Sequence, residues 1–284
     1  MRILLTGRSG QVGSALERAL APVGELAAFD RKDLDLFNPQ EIKRRTEEIR
    51  PDIIVNAAAY TAVDRAESEH DAAFTVNAAA VRVLAAEAKK RNALLVHYST
   101  DFVFDGEKHA LYVEFDPPNP LNVYGQSKLA GEREIAASGC RHFIFRTSWV
   151  YGPGGRNFAR AILAAARDKP ELRVVDDQHG APTSSRAIAE ATARALSGPD
   201  LAEKPNGIYH MSAAGRTTWC GFAKLILESA GLKVPIAVIR SDEYPLAAKR
   251  PKNSLLDNSR LAATFGIALR DWREDVPGVV AAIQ

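Results

Sequence analysis

Tyr124 and Lys128 stand four residues apart in VYGQSK, and upstream of them HYSTDF carries Thr100 and Asp101. Together these side chains could protonate a carbonyl oxygen. On a helix, positions i and i+4 share a face, so the Lys128 ammonium can lie beside the Tyr124 phenol. A free phenol ionises near pH ~10, and a neighbouring cation lowers that value by favouring phenolate, which would make Tyr124 a general acid usable near neutral pH. The spacing alone carries little weight, because a chain with 7 Tyr and 37 Lys and Arg produces such pairs by chance. Its meaning depends on the elements that position it.

RILLT at 2–6 reads as a buried strand that runs into GRSGQVG, with Gly7, Gly10 and Gly13 at three-residue spacing ahead of the helical pattern SALERAL. Glycines permit a tight turn and let backbone N–H groups and a helix N-terminus approach a pyrophosphate. The form is GxxGxxG, not GxGxxG, and for the glycines by themselves a turn that binds nothing is the alternative. ELAAFD at 25–30 reads as a second strand ending in Asp30, 17 positions beyond Gly13. That is close to the ~20-residue offset at which an acid reaches the ribose hydroxyls of a dinucleotide. Arg31 and Lys32 follow at once. An acid favours NAD by repelling a 2′-phosphate, whereas adjacent cations could bind that phosphate, so use of both NADH and NADPH is expected. A solvated turn is the alternative for this charge cluster.

The chain of 284 residues, 46% hydrophobic, is long enough for a large core. No apolar run approaches the ~20 residues needed to span a bilayer, and a strand starting at Arg2 leaves no room for a signal peptide, so a cytoplasmic protein is expected. Cys140 and Cys220 are the only cysteines and sit in no ligand cluster; neither a disulfide nor a metal site is indicated. A net charge of +2 with no block of like charge argues against nucleic acid or membrane as partner.

Strand-like runs at 2–6, 25–29, 53–59, 94–99 and 142–147 alternate with helical patterns near 11–20, 39–49, 71–91 and 125–138. That alternation implies an α/β fold with a Rossmann-type, doubly wound parallel sheet. Ligands collect at the carboxyl ends of such strands, where the glycine loop, Asp30, Asn56, Ser99, Thr100 and Trp149 all fall. The small residues of AAAYTAVDRAE, after the third strand, would either let a nicotinamide nucleotide lie on the backbone or simply pack. We expect residues 1–150 to form an NAD(P)-binding domain and 151–284 mainly a smaller α/β substrate-binding domain, with some segments returning to the large sheet. The segment 105–122, rich in proline, reads as a loop beside the site that could gate access.

In these features the chain resembles the extended short-chain dehydrogenase/reductases and, more narrowly and throughout its length, the dTDP-4-dehydrorhamnose reductases. The resemblance rests on GRSGQVG, RPDIIVNAAAYTAVDRAE, VHYSTDFVFDG, NPLNVYGQSKLAGE, FRTSWVYGPGGRNF, DQHGAPT and KRPKNSLLDNSRL. It implies reduction of the 4-keto group of dTDP-4-dehydro-L-rhamnose by NADH or NADPH. Tyr124 would donate the proton, Thr100 would hold the carbonyl oxygen, and Lys128 would hold the nicotinamide ribose and lower the Tyr124 pKa. Thr100 and Asp101 would contact the sugar and Trp149 would pack on it. The resemblance places Gly10, Gln11 and Val12 at the cofactor phosphates, Asp30 at the adenosine ribose, Asp35 and Leu36 near adenine, and Ala59, Tyr60 and Thr61 along the nicotinamide half; Gly7 and Gly13 join the cofactor-binding set from the glycine turn itself, and Arg31 from its charge beside Asp30. Arg250 is a candidate for the substrate diphosphate, since a guanidinium fork suits phosphate oxygens; a solvated surface arginine is the alternative. His179 receives no role. Some members are dimers bridged by Mg²⁺ through glutamates, but the matching positions here are Ala15 and Arg186, which argues against such a bridge and for a monomer or weak homodimer.

Nucleotide-sugar dehydratases of the same fold carry an Asp-Glu pair after the Thr, and here Asp101 is followed by Phe102. A 4-epimerase needs little beyond the reductase set and remains the alternative enzyme. A non-catalytic regulatory subunit of this family is the alternative of another class, against which the complete Thr100, Tyr124 and Lys128 set weighs.

Overall fold

The computed structural model describes residues 1–198 and 200–284. Five apolar runs become the parallel strands β1 (Arg2–Thr6), β2 (Glu25–Phe29), β3 (Ile53–Asn56), β4 (Leu94–Thr100) and β5 (Arg141–Thr147). With Gly207–His210 at one edge they form a six-stranded, wholly parallel sheet in the order Gly207–His210, β5, β4, β3, β1, β2. Both faces are covered, which is why these strands read as near-continuous hydrophobic runs. On one face Ile3, Leu5, Val55, Val96, Tyr98, Phe143 and Phe145 pack with residues of the helices Gln11–Leu20 and Ser185–Leu196. On the other, Leu4, Ile54, Leu95 and Ile144 meet Ile42, Val81, Leu84 and Ile135 from the helices Pro39–Ile49, Ala80–Arg91 and Val123–Ser138.

The helix Val123–Ser138 starts where Asn122 accepts a hydrogen bond from the Gly125 N–H at 2.8 Å, so an N-cap fixes the frame in which Tyr124 and Lys128 are presented. Its burial is nearly all-round, with Val123, Ser127, Lys128, Leu129, Glu132 and Ile135 inside. The pattern expected as one helix over 71–91 is interrupted by a π turn at Thr75–Ala79. There the Asn77 side chain accepts from the Tyr60 N–H at 2.9 Å and donates to the Tyr60 carbonyl and the Ser127 hydroxyl, each at 3.0 Å. The third strand stops at Asn56, short of the expected 59, and residues 57–60 are held by this Asn77 clamp.

Beyond residue 150 a second core gathers Tyr151, from the short strand Val150–Tyr151, with Leu163, Phe222, Ile226, Trp272 and Val276 from the helices Phe158–Asp168, Trp219–Ser229 and Trp272–Ile283. Beside it the strand Leu172–Val175 pairs in parallel with Ile236–Ile239. The strand Gly207–His210 and the helix Ser185–Leu196 belong instead to the large sheet and its core. No helix among the described residues is long and apolar enough to cross a membrane.

Candidate active site

The glycine loop closes on itself. Gly7 adopts φ +76°, and a Cβ there would lie 2.7 Å from the Ala58 nitrogen; a Cβ on Gly13 would lie 1.9 Å from the Gly7 carbonyl oxygen. Only glycine fits at either point. Gly10 caps the helix Gln11–Leu20 with no side chain, so the first-turn amides of Gln11, Val12 and Gly13 meet no capping acceptor. This cradle of backbone donors at the positive end of a helix fits a dinucleotide pyrophosphate. The Gln11 side chain is used from the far side: its amide donates to the Arg156 carbonyl at 3.2 Å and accepts from Asn157 at 3.0 Å.

Asp30 directly follows β2, where its carboxylate accepts from the Lys32 N–H at 2.8 Å; that bond chiefly holds its pKa down, with the Arg8 and Lys32 charges adding to it. Arg8 thus joins the cluster from within the glycine loop, reaching toward the Ala28 carbonyl at 3.5 Å. Sequence reading gave it no role, although its place beside the first glycine was the signal. Arg31 is exposed and lies 3.8 Å from Asp35. Leu36 is buried with Leu4, Leu34 and Ile42, so its side chain serves the core and not an open adenine site. Ala59 and Tyr60 are half-buried and Thr61 exposed at the carboxyl end of β3, with the Tyr60 hydroxyl donating to Glu69 at 2.6 Å.

Thr100 closes β4, donating to Asp101 Oδ1 at 3.0 Å and accepting from the Phe102 N–H at 3.1 Å. Asp101 is buried and its Oδ2 has no partner. Burial pushes its pKa up to about 6, against the Ser254 and Thr100 hydroxyls that hold it down. Ser254, from KRPKNS, is a further residue that sequence reading did not single out. Tyr124 comes to the same place. Burial drives its phenol up to about 12, the Asp101 charge adds to this, and the Thr100 hydroxyl opposes it.

The expected lowering of Tyr124 by Lys128 is therefore corrected. Lys128 Nζ is turned to the sheet, donating to the Tyr98 carbonyl at 2.6 Å and lying 3.1 Å from His97 Nε2, and burial brings its pKa down to about 8. The helix shares the face that the spacing predicts, but hydrogen bonds on β4 claim the amine.

Trp149 takes a positive φ of +48°, and its ring stacks on Trp219 with centroids 3.5 Å apart at 5°. One indole face is thus covered by a residue that sequence reading did not connect to it. A Cβ on Gly180 would fall 2.3 Å from the same indole. Arg250 is not the free surface cation of the alternative reading. It grips Asp64 through two bonds of 2.8 and 2.6 Å, tying KRPKNS to the segment after β3. The 105–122 loop is fastened as well, by Asn253 donating to the carbonyls of Lys108 and Ala110 at 2.6 and 2.9 Å. Such bonds run against a freely swinging gate. Ala15 is buried in the core beside the helix Ser185–Leu196, and Arg186 pairs with Asp275 at 2.6 Å, so neither offers a carboxylate to a cation.

The RmlD substrate binding domain family matches residues 1–284. A dTDP-4-dehydrorhamnose reductase of Burkholderia thailandensis is 47% identical over 286 residues, 96% of each chain. One of Escherichia coli K12 is 44% identical over 290 residues, 97% of this chain and 96% of its own. The crystal structure of dTDP-4-dehydrorhamnose reductase from Bacillus anthracis in complex with NADP superposes with a TM-score of 0.93 at 36% identity, covering 99% of this chain and 98% of that one. With likeness of this extent in both sequence and fold, the chain belongs to the dTDP-4-dehydrorhamnose reductase family.

Proposed function

We propose that the chain reduces the 4-keto group of dTDP-4-dehydro-L-rhamnose to give dTDP-L-rhamnose, with NADPH or NADH as reductant. The observation that carries this reading is a juxtaposition. A glycine cradle fitted to a dinucleotide lies at the end of β1, and Thr100 and Tyr124 meet at the end of β4 in the same sheet. The bound cofactor supplies the hydride from its nicotinamide ring.

The protein's own part is to bind, orient and move a proton. Tyr124, kept protonated by burial, releases its hydroxyl proton to the sugar oxygen as negative charge builds there, and the Thr100 hydroxyl donates to that oxygen. Donors aimed at an oxygen gaining charge act mainly on the transition state. Lys128, as an ammonium, holds the nicotinamide ribose. Asp101 meets the sugar hydroxyls, and Trp149, braced by Trp219, forms a wall of the sugar site. Arg250, already neutralised by Asp64, fastens KRPKNS over the site so that Ser254 reaches Asp101. Arg8 and Arg31 meet the 2′-phosphate of NADPH, while Asp30, Asp35 and the Ala59–Thr61 segment line the rest of the cofactor.

In this reading residues 1–150, with Gly207–His210 and Ser185–Leu196, form the nucleotide-binding unit. The remainder of 151–284 forms the substrate unit of a cytoplasmic, monomeric or weakly dimeric enzyme. Incubating purified protein with dTDP-4-dehydro-L-rhamnose and each reduced cofactor tests the activity. Stoichiometric loss of nicotinamide absorbance with dTDP-L-rhamnose as product is expected; an epimerised 4-keto sugar with no net cofactor oxidation would replace the reading with an epimerase.

A further inference from the structure

One row of the sheet is polar where the row before it is apolar. Thr6, Asn56 and His97 are cross-strand partners on β1, β3 and β4, and all are buried, as is Lys128 on the helix above them. They form a continuous chain of hydrogen bonds. The Ala58 N–H donates to Thr6 Oγ1 at 3.4 Å, and the Thr6 hydroxyl donates to Asn56 Oδ1 at 2.7 Å. Asn56 Nδ2 then faces His97 Nδ1 at 3.0 Å, His97 Nε2 faces Lys128 Nζ at 3.1 Å, and Nζ donates to the Tyr98 carbonyl at 2.6 Å.

The two ends fix the direction of every link. A backbone N–H can only donate and a carbonyl can only accept. An amide nitrogen also only donates, so His97 Nδ1 bears a lone pair and, in a neutral imidazole, the single proton sits on Nε2. That proton points at Nζ, which must accept it, and only an amine has the lone pair to do so. Reversing the Asn56 amide would make Thr6 Oγ1 accept from both Ala58 and Asn56, leaving its own buried proton without a partner, a costly state.

The titratable groups around Lys128 agree. Tyr124 and Glu132 lie on its own helix, His97 and Asp101 on β4 and the turn after it, Arg146 on β5 and His210 on the edge strand. Of these, Glu132 is the one that favours the ammonium by charge. Both its oxygens are bonded by Arg146, at 2.9 and 2.6 Å. His97 is kept neutral chiefly by burial; His210, lowered to about 3 by burial and then by Arg146, is neutral as well.

We propose that in mildly alkaline solution this one-way chain holds Lys128 as a neutral amine in the cofactor-free protein, with His97 as its positioning residue, so that nicotinamide cofactor binding is coupled to uptake of a proton from solvent at Lys128 Nζ. The inference rests on the placement of Lys128 at the cofactor ribose. Ribose hydroxyls can accept from an ammonium, and the cofactor's negative charge favours one. Once protonated, Nζ has nothing to offer the His97 Nε2–H and turns from it to the ribose, keeping Tyr98.

Two measurements test this, at a pH about one unit above the lowered Lys128 value. Nitrogen NMR of the free protein should find the His97 proton on Nε2 with Nδ1 bare; a proton on Nδ1 overturns the proposal whatever the cofactor does. NADPH is then titrated into weakly buffered protein, with nicotinamide fluorescence reporting binding and a pH indicator reporting protons. Uptake approaching one proton per bound NADPH is expected, and binding without uptake overturns the coupling. A failure of fluorescence to report binding speaks against the cofactor assignment instead, and the NMR result still decides the amine. Asn56→Asp supplies the control: a carboxylate accepts from both Thr6 and His97 Nδ1–H, turns the chain round and leaves Lys128 an ammonium from the start. NADPH should still bind to this variant, with its proton uptake lost; unchanged uptake would show that the row is only structural.

Discussion

Arg146 holds Glu132 by two parallel bonds, Nε to Oε1 at 2.9 Å and Nη2 to Oε2 at 2.6 Å, with both side chains buried between the sheet and the helix that carries Lys128. Glu132 is one turn from Lys128, and Arg146 keeps its carboxylate from claiming the amine. Breaking a buried pair by removing one partner leaves an uncompensated charge, at about 3–5 kcal/mol. Arg146→Met should lose stability of this order in urea denaturation at pH 7, whereas the double variant Arg146→Met/Glu132→Leu should recover much of it. A double variant no more stable than the single one would show that the pair contributes more than its own neutralisation.

Tyr124→Phe should bind NADPH as the parent does and lose at least ~10²-fold in kcat, the lower range for a positioned general acid. Near-normal turnover would remove Tyr124 from the proton transfer.

Arg8→Ala and Arg31→Ala should each weaken NADPH by about tenfold, as loss of an exposed charge-assisted contact does, with NADH little changed. Equal loss for both cofactors would place these cations away from the 2′-phosphate.

Asp101 gives a pH signature. Its folded pKa, raised to about 6 from 3.8, means that the folded protein binds a proton more readily than the unfolded chain does. The associated stability is fully present below the unfolded value and is lost as pH rises through about 6. Asp101→Asn removes the titration, so it should be more stable than the parent at pH 7 by about 1–3 kcal/mol, with the difference closing toward pH 4. A difference in melting temperature that does not vary with pH would contradict this.

Metal removal should leave turnover and mass in solution unchanged, because Ala15 and the Asp275-paired Arg186 supply no oxygen ligand where a magnesium bridge would stand. A magnesium-dependent shift from monomer to dimer in light scattering would point to other carboxylates.

The strands were legible because a parallel sheet buried on both faces writes itself as apolar runs, and the glycine loop because Gly7 and Gly13 admit no other residue. Tyr124 and Lys128 were legible as residues sharing a helix face. The direction in which Lys128 points was not, since it depends on His97, which reads in sequence as one more member of a buried strand. Arg250 likewise finds Asp64 186 positions away, and Trp149 finds Trp219 across the second core. Such pairings lie in the packing of distant segments, and no local period records them. The helix Trp272–Ile283 did carry a local signal that was overlooked: Asp271 and Glu274 form a reciprocal capping box at its start.

The π turn at Thr75–Ala79 sets a rule for length as well as for composition. Such a turn holds a residue more than the α-helical path through the same space, and here that surplus accompanies the clamp of Asn77 on Tyr60 and Ser127. Deleting a single residue between 75 and 79 would let the helix become regular, rotate Asn77 out of reach and uncouple the segment after β3 from the helix bearing Tyr124. Chains built on this plan can therefore drift in sequence along this stretch far more freely than they can gain or lose a residue in it.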